Sequence, residues 1–264
     1  MPAARTDPGA VARSGFRLEE TVLPSPHSTD LARTPLGDYV QRFDTQTRHI
    51  AELFQENTKL TPYSSLMSPA NEDALKDARE FYFSTAYRMD DSALEPGMSD
   101  RMRLTHADLP PALGRLLGPF SEAGRLAPLL YGLDVFLMHE RRLLRVIPET
   151  DQLWIEIRPK ATDEEAVRSS ILRQDPERLA RARCFVFILA APWRYMMFLG
   201  PRGYRHVMFE AGDLMAQLEG LAAGLGLQPL VCRDFFDARV DRVLQLDGAE
   251  RTTLGIIALE GQGL

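Results

Sequence analysis

The chain has few cysteines and no long uninterrupted apolar run. Its two cysteines, Cys184 and Cys232, cannot form a disulfide framework, and the His and Cys spacings match no zinc pattern. Cys184 lies in the apolar segment CFVFILAA, where an inert buried thiol is expected. No apolar run reaches the roughly 18 residues that span a bilayer, and the N-terminus lacks a signal-peptide core. We therefore expect a soluble, cytoplasmic protein without a metal.

An excess of positive charge is also missing. The 264 residues include 31 basic and 37 acidic side chains, a net charge of −6. No overall basic field therefore favours nucleic acid. Apolar residues make up 45% of the chain, which is enough for a sizeable core.

The chain divides by composition into an extension and one domain. Residues 1–35 carry scattered Pro, Ser, Thr and Arg without a sustained period, which predicts a flexible N-terminal extension. Residues 36–264 are predicted to form a single domain. Residues 88–103 are polar and predict a loop.

Apolar periodicity predicts the elements of that domain. Predicted helices cover residues 39–54, 68–83, 162–182 and 209–227, with a short helix within 231–246. Predicted strands cover 127–139 and 141–149, paired as a hairpin around HERR, and 153–159, 183–193 and 252–260. This order indicates an α+β fold with a mostly antiparallel sheet packed by helices.

The most patterned stretch is MFLGPRGYRHVMFEAGDLMAQLEGLAAGLGL, residues 197–227. Gly212, Ala216 and Gly220 give its helix a face nearly free of side chains, which suits either close helix packing or a flat ligand. Arg202 and Arg205 lie beside a Gly-Pro turn and suit an anion, since an arginine fork binds phosphate or carboxylate. Solvent exposure or salt bridges to nearby acids explain them equally well.

The same region resembles the signature of SagB-type dehydrogenases, the nitroreductase-like flavoproteins that oxidise azolines to azoles in ribosomally made peptides. The residues that carry this resemblance are Arg194, Gly200, Arg202, Gly203, Tyr204, Arg205, Glu210, Ala211, Gly212, Gln217, Leu218, Ala222, Ala223, Gly224, Leu225, Gly226 and Leu227. LFQENTKL, residues 53–60, resembles the family's His-Glu-x-x-Lys motif. LLYGLDVFLMHERRLLRVIPETDQLWIEIRP resembles its central hairpin, especially in the thiopeptide branch.

The resemblance implies a nitroreductase-like fold and an intertwined homodimer with FMN between the subunits. It implies that the cofactor is bound by Arg194, Arg202, Arg205, Gly212, Gln217, Lys59 and Asn57. It also implies an azoline-containing precursor peptide as substrate and a cyclodehydratase as partner. The N-terminal extension could contact the leader peptide or that partner, or remain a free tail.

Three polar positions depart from the family pattern. Phe198 and Leu199 stand where many members have Lys-Tyr, Gln55 replaces a common histidine, and Asp213 follows glycine where histidine is usual. Because Phe and Leu cannot carry a proton, the usual acid–base assignment does not transfer. The remaining candidates for the base are Tyr195, Tyr204, His206, Asp213 and Glu210. A lone histidine after an arginine, as at His206, is more often structural than catalytic.

The sequence thus predicts an FMN-dependent dehydrogenase that converts thiazolines to thiazoles in a peptide of thiopeptide type. Hydride transfer is the flavin's chemistry, and the protein contributes placement and proton handling. Loss of the Lys-Tyr pair leaves a second hypothesis, a catalytically silent subunit that binds a peptide or a partner enzyme. A general nitroreductase that uses a nicotinamide cofactor is the third.

Overall fold

The computed structural model describes residues 54–55, 58–59, 68–89, 103–121, 124–262 and 264. The chain divides into two compact units, residues 1–60 and 61–264. In the first unit, the Thr58 amide donates to the Phe54 carbonyl at 3.1 Å, which closes one turn. The predicted extension, its boundary at residue 35 and nearly all of the predicted helix 39–54 lie outside the described residues.

The second unit contains a seven-stranded antiparallel sheet. Its strands are β1 (Arg103–Thr105), β2 (Leu133–His139), β3 (Arg142–Val146), β4 (Gln152–Ile157), β5 (Cys184–Ala190), β6 (Gln228–Cys232) and β7 (Thr252–Glu260). They lie in the order β1-β4-β3-β2-β5-β7-β6, and every neighbouring pair is antiparallel. The predicted α+β fold with an antiparallel sheet is confirmed.

Helices cover both faces of the sheet. Within the described ranges they are α1 (Pro69–Met89), α2 (Pro111–Leu117), α3 (Ala161–Ser170), α4 (Pro176–Arg181), α5 (Trp193–Leu199), α6 (Arg202–Gly224) and α7 (Asp237–Leu244). One core lies between the sheet and α2, α5 and α6, and a second lies under α3, α4 and α7. None of the described helices has the length and apolar character needed to cross a membrane.

Local sequence explains several element boundaries. The Asn71 amide donates to the Ser68 hydroxyl at 3.3 Å, so Ser68 caps the N-terminus of α1. The β2–β3 turn consists of Glu140 and Arg141, with φ of 47° and 58°, the geometry of a two-residue type I′ turn. At the end of α6, Gly226 adopts φ of 79°, as expected for a residue that closes a helix.

Some predicted elements were too long. The segment 127–139 begins as a 3₁₀ turn, Ala127–Tyr131, before β2 starts at Leu133. The segment 162–182 is two helices, because Asp175 caps a new helix by accepting from the Glu177 amide at 2.9 Å. Residues 228–232 form β6, so the first two residues of the segment 231–246 belong to a strand, and the helix in that segment begins only at Asp237.

Two further boundaries near the turn at Gly200 also differed. The predicted strand 183–193 ends at Ala190, and α5 begins after Pro192, since proline cannot donate to a sheet. α6 begins at Arg202 rather than at 209, so the two arginines lie in its first turn. The predicted loop 88–103 begins later, because α1 continues to Met89.

Candidate functional site

The resembling residues meet where α5 turns into α6. Gly200 makes the turn with φ of 53° and ψ of −146°, a backbone conformation that favours glycine. A Cβ on Gly203 would lie 2.5 Å from the Met196 amide nitrogen. The two helices therefore approach each other too closely for any larger residue at that position.

Arg194 of α5 is buried against the sheet. Its guanidinium makes three contacts of 3.3 Å with both oxygens of Asp134 and donates to the Tyr131 carbonyl at 3.0 Å. It also lies 4.5 Å from the centre of the Tyr82 ring. The predicted cofactor ligand is thus held by acceptors of its own chain.

Asp134 is a buried carboxylate among arginines. Burial alone raises the pKa of Asp134, but Arg194, Arg145 and Arg251 lower the pKa overall. The Arg251 Nε atom lies 3.8 Å from Asp134 Oδ2. The ionised form is therefore the stable form, as expected for a structural ion pair.

Tyr195, the next residue on α5, contacts a second carboxyl group. Its hydroxyl donates to Glu210 Oε1 at 2.6 Å, which joins α5 to the third turn of α6. Burial raises the pKa of Glu210, although Tyr195 and Arg79 lower it in part. Burial and the contact with Glu210 raise the pKa of Tyr195, so this phenol stays protonated at neutral pH.

Two aromatic rings enclose Tyr195. Tyr131 meets it edge to face with centroids 5.0 Å apart, and His206 stacks on it at 5.9 Å. His206 is mostly exposed. Its remaining burial and the charge of Arg202 lower the pKa of His206, so its imidazole is neutral near pH 7.

The predicted anion-binding arginines lie in the first turn of α6. Arg202, Tyr204 and Arg205 are all half-buried. The Arg205 guanidinium lies 5.6 Å from the centre of the Phe209 ring, and no carboxylate of the described residues pairs with it. Arg205 therefore retains donors for an anion.

Farther along α6, the predicted ligands lie on an open face. Gln217 donates to Asp213 at 2.9 Å within the helix. A Cβ added to Gly212, Gly220 or Gly224 would meet nothing within 4 Å. These three glycines leave space beside α6 in the described part of the unit, so another molecule can approach the helix there.

The remaining predicted positions divide into three groups. Lys59 is exposed in the first unit, and Asn57 lies outside the described residues. Phe198 and Leu199, which replace the reactive pair, end α5. Leu199 is 8% exposed, and Phe198 packs beside the core, so both serve as apolar packing.

Sequence reasoning did not single out Gly132 and Asp134. A lone acid within the otherwise apolar strand LDVFLMH was the available signal for Asp134, because buried acids need partners. A Cβ on Gly132 would lie 2.6 Å from the Tyr195 ring and 2.9 Å from Glu210 Oε2. That close approach has no sequence signature.

Sequence comparison places this chain in no family. No family model matches it, and no curated protein sequence matches it.

Structural comparison finds nitroreductase-like proteins at low identity. A chain of the E. coli microcin synthetase McbBCD complex with truncated pro-MccB17 bound is 16% identical, with a TM-score of 0.48, and the match covers 92% of this chain and 96% of that chain. An FMN-dependent nitroreductase from Clostridium difficile R20291 is 12% identical, with a TM-score of 0.36 over 59% of this chain and 73% of that one.

A third similar structure is a protein from Anabaena variabilis assigned as a nitroreductase. It is 18% identical, with a TM-score of 0.45 over 53% of this chain, and the match spans only 28% of the Anabaena chain. This chain is therefore similar to structures of the nitroreductase type.

Proposed function

We propose that this chain is an FMN-dependent oxidoreductase that oxidises azolines to azoles in a ribosomally synthesised peptide of thiopeptide type. The observation that supports the proposal is the position of three of the SagB-like residues. Arg202, Arg205 and Glu210 lie on the first three turns of α6, directly after the turn at Gly200.

The residues around this turn fit an anionic, flat cofactor. Arg205 has guanidinium donors that no described carboxylate uses, and charge-assisted hydrogen bonds from arginine suit a phosphate. The open face at Gly212 leaves room for a planar ring system beside the helix. Bound FMN would supply the two-electron acceptor, and the chain would supply binding and orientation.

The partner and substrate follow from the same proposal. An azoline-containing precursor peptide would be the substrate, and a cyclodehydratase would make the azoline. The microcin synthetase neighbour contains a bound peptide in a multi-subunit complex, which is the type of assembly that we propose for this chain.

We also propose a homodimer that pairs through α5 and the start of α6. Five of the eight large exposed apolar side chains among the described residues lie there, namely Trp193, Met196, Met197, Met208 and Phe209. Several large exposed apolar side chains on two consecutive helices are typical of an interface. Light scattering on the purified protein should give about twice the 29.7 kDa chain mass, and a monomer with full flavin content would contradict the proposal.

One observation favours a catalytically silent subunit instead. Phe198 and Leu199 pack as apolar side chains and cannot move a proton. In that case the chain would bind a peptide or an active dehydrogenase without oxidising anything.

The test begins with the purified protein and FMN. We expect a yellow protein whose flavin is released as FMN on denaturation. With an azoline peptide and the cyclodehydratase, each azoline should lose the mass of two hydrogens. A colourless protein that cannot be reconstituted with FMN would favour the hypothesis of a catalytically silent subunit. A protein that reduces nitroaromatics with a nicotinamide cofactor but oxidises no azoline would be a general nitroreductase.

A further inference from the structure

One carboxyl group at this site is only half satisfied. Glu210 Oε1 accepts the Tyr195 hydroxyl, but Oε2 is buried without a hydrogen-bond partner among the described residues. A buried polar atom without a partner costs free energy. Such an atom in a folded protein calls for an explanation, and a role in proton transfer is one.

The surrounding residues hold this carboxyl group in place. Gly132 leaves room for both the Tyr195 ring and Glu210 Oε2, because any side chain there would overlap both. Tyr131 fixes one side of the Tyr195 ring by an edge contact, and its hydroxyl donates to the Arg194 carbonyl at 3.1 Å. The pair is therefore positioned by three neighbouring elements.

The pair lies one ring below the surface. Tyr195 is 3% exposed, and the ring that stacks on it belongs to the mostly exposed His206. The other charged or titratable groups around the pair are Arg79 on α1, Tyr131 on the 3₁₀ turn, Arg194 on α5 and Arg202 on α6.

We propose that Tyr195 and Glu210 are the proton-accepting pair of the site, in place of the missing Lys-Tyr. The substrate carbon loses its proton to the phenol oxygen of Tyr195 while the phenol proton moves to Glu210 Oε1. Bound FMN would accept the hydride from the neighbouring ring carbon, so the ring would gain one double bond. This role for the pair rests on the proposed function.

The concerted transfer agrees with the electrostatics of the two groups. Burial raises the pKa of Tyr195, so a free tyrosinate is disfavoured and the phenol needs an acceptor for its proton. Burial also raises the pKa of Glu210, which brings this carboxyl group closer to the pH at which an enzyme works. Glu210 acts through Tyr195 and is a positioning residue as well as the final acceptor.

A titration tests the pair without any reaction. With ¹³C-labelled glutamate, Glu210→Gln identifies the Glu210 signal, and wild type is then compared with Tyr195→Phe. In wild type the hydrogen bond from Tyr195 stabilises the Glu210 carboxylate and lowers its pKa. We therefore expect the Glu210 pKa to rise in Tyr195→Phe, which lacks this hydrogen bond. An unchanged Glu210 titration would show that Tyr195 and Glu210 are not hydrogen-bonded to each other. It would overturn the proposal that they act as a proton-accepting pair.

Kinetics then test the role of the pair. Glu210→Gln and Tyr195→Phe should each slow azoline oxidation about 100-fold with flavin content preserved, and the double variant should be little slower than either one. The wild-type rate should rise with pH to a plateau, with its midpoint at the Glu210 pKa. The control is Glu219→Gln, an exposed glutamate on the same helix, which should keep the wild-type rate.

The outcomes separate the two proposals. Full activity in both variants, with an active wild type, overturns the pair and leaves the proposed function. An inactive wild type that binds FMN and receives a genuine azoline peptide overturns the proposed function and the pair's role with it, even if the titration shows the shared bond.

Discussion

Arg194 and Tyr195 are neighbours on α5, and each contacts a carboxyl group of another element. Arg194 contacts Asp134 and Tyr195 contacts Glu210, and the surroundings shift the pKa values of these two carboxyl groups in opposite directions. Asp134 is surrounded by three arginines, and the pKa of Asp134 is lowered. Glu210 receives one phenol hydroxyl, and the pKa of Glu210 is raised. A carboxylate held ionised stabilises a fold, whereas a carboxyl group whose charge is opposed by burial can take up a proton. The difference assigns structure to the first pair and chemistry to the second.

The largest effect should come from breaking the first pair. Arg194→Met leaves Asp134 buried without its main partner, which should cost about 3–5 kcal/mol of unfolding free energy. Urea denaturation at neutral pH measures the loss. The control is the double variant Arg194→Met/Asp134→Leu, which should recover much of it, since a buried charge is then no longer unpaired. A loss below about 1 kcal/mol in the single variant would mean that Arg194 is not a structural anchor.

The next effect concerns the two arginines in the first turn of α6, Arg202 and Arg205. Charge reversal in Arg202→Glu or Arg205→Glu should weaken FMN binding by roughly 3 kcal/mol, because a charge-assisted hydrogen bond is replaced by repulsion of a phosphate. Flavin fluorescence on titration with FMN measures the change. Arg239→Glu, on exposed α7, is the matched control. Stoichiometric FMN in both variants would exclude these arginines as the phosphate site.

A smaller loss of stability should follow from a substitution that crowds Tyr195 and Glu210. Gly132→Ala places a methyl group 2.6 Å from the Tyr195 ring, and overpacking of this kind usually costs about 1–3 kcal/mol. Thermal unfolding measures the cost. Gly220→Ala is the control, since a Cβ there meets nothing within 4 Å. Equal unfolding temperatures for the two variants would show that the contact around Gly132 relaxes easily.

The comparison also shows what could be read from the sequence. Periodicity predicted β2, β3, β4, β5, β7 and most helices, because alternation and capping are local properties, but it missed β1 and β6. Arg194 and Glu210 were placed at the site by a resemblance and not by periodicity. The sequence could not predict that Asp134 pairs with Arg194, because 60 residues separate them. Helix α5 was missed because its seven residues follow directly on a buried strand and are just as apolar.

The smallest effect is the pH dependence of stability, to which Glu210 and Asp134 contribute with opposite signs. Because the folded-state pKa of Glu210 is raised, the unfolded chain loses this proton first as pH rises. The Glu210 contribution therefore lowers stability from about pH 4.3, the ordinary glutamate value, up to its folded-state pKa, and stays constant above that. The lowered pKa of Asp134 acts in the opposite direction, so its stabilisation is lost as pH falls.

Glu210→Gln isolates the Glu210 contribution, since the amide keeps the size of the side chain and an acceptor for Tyr195. The unfolding temperature of the variant relative to wild type should rise from about pH 4.3 up to the folded-state pKa of Glu210 and then level off. Glu219→Gln, on the exposed face of the same helix, serves as the control and should show a much flatter difference. A relative stability of Glu210→Gln that falls with pH would mean that the folded protein prefers the Glu210 carboxylate, and the contrast with Asp134 would be lost.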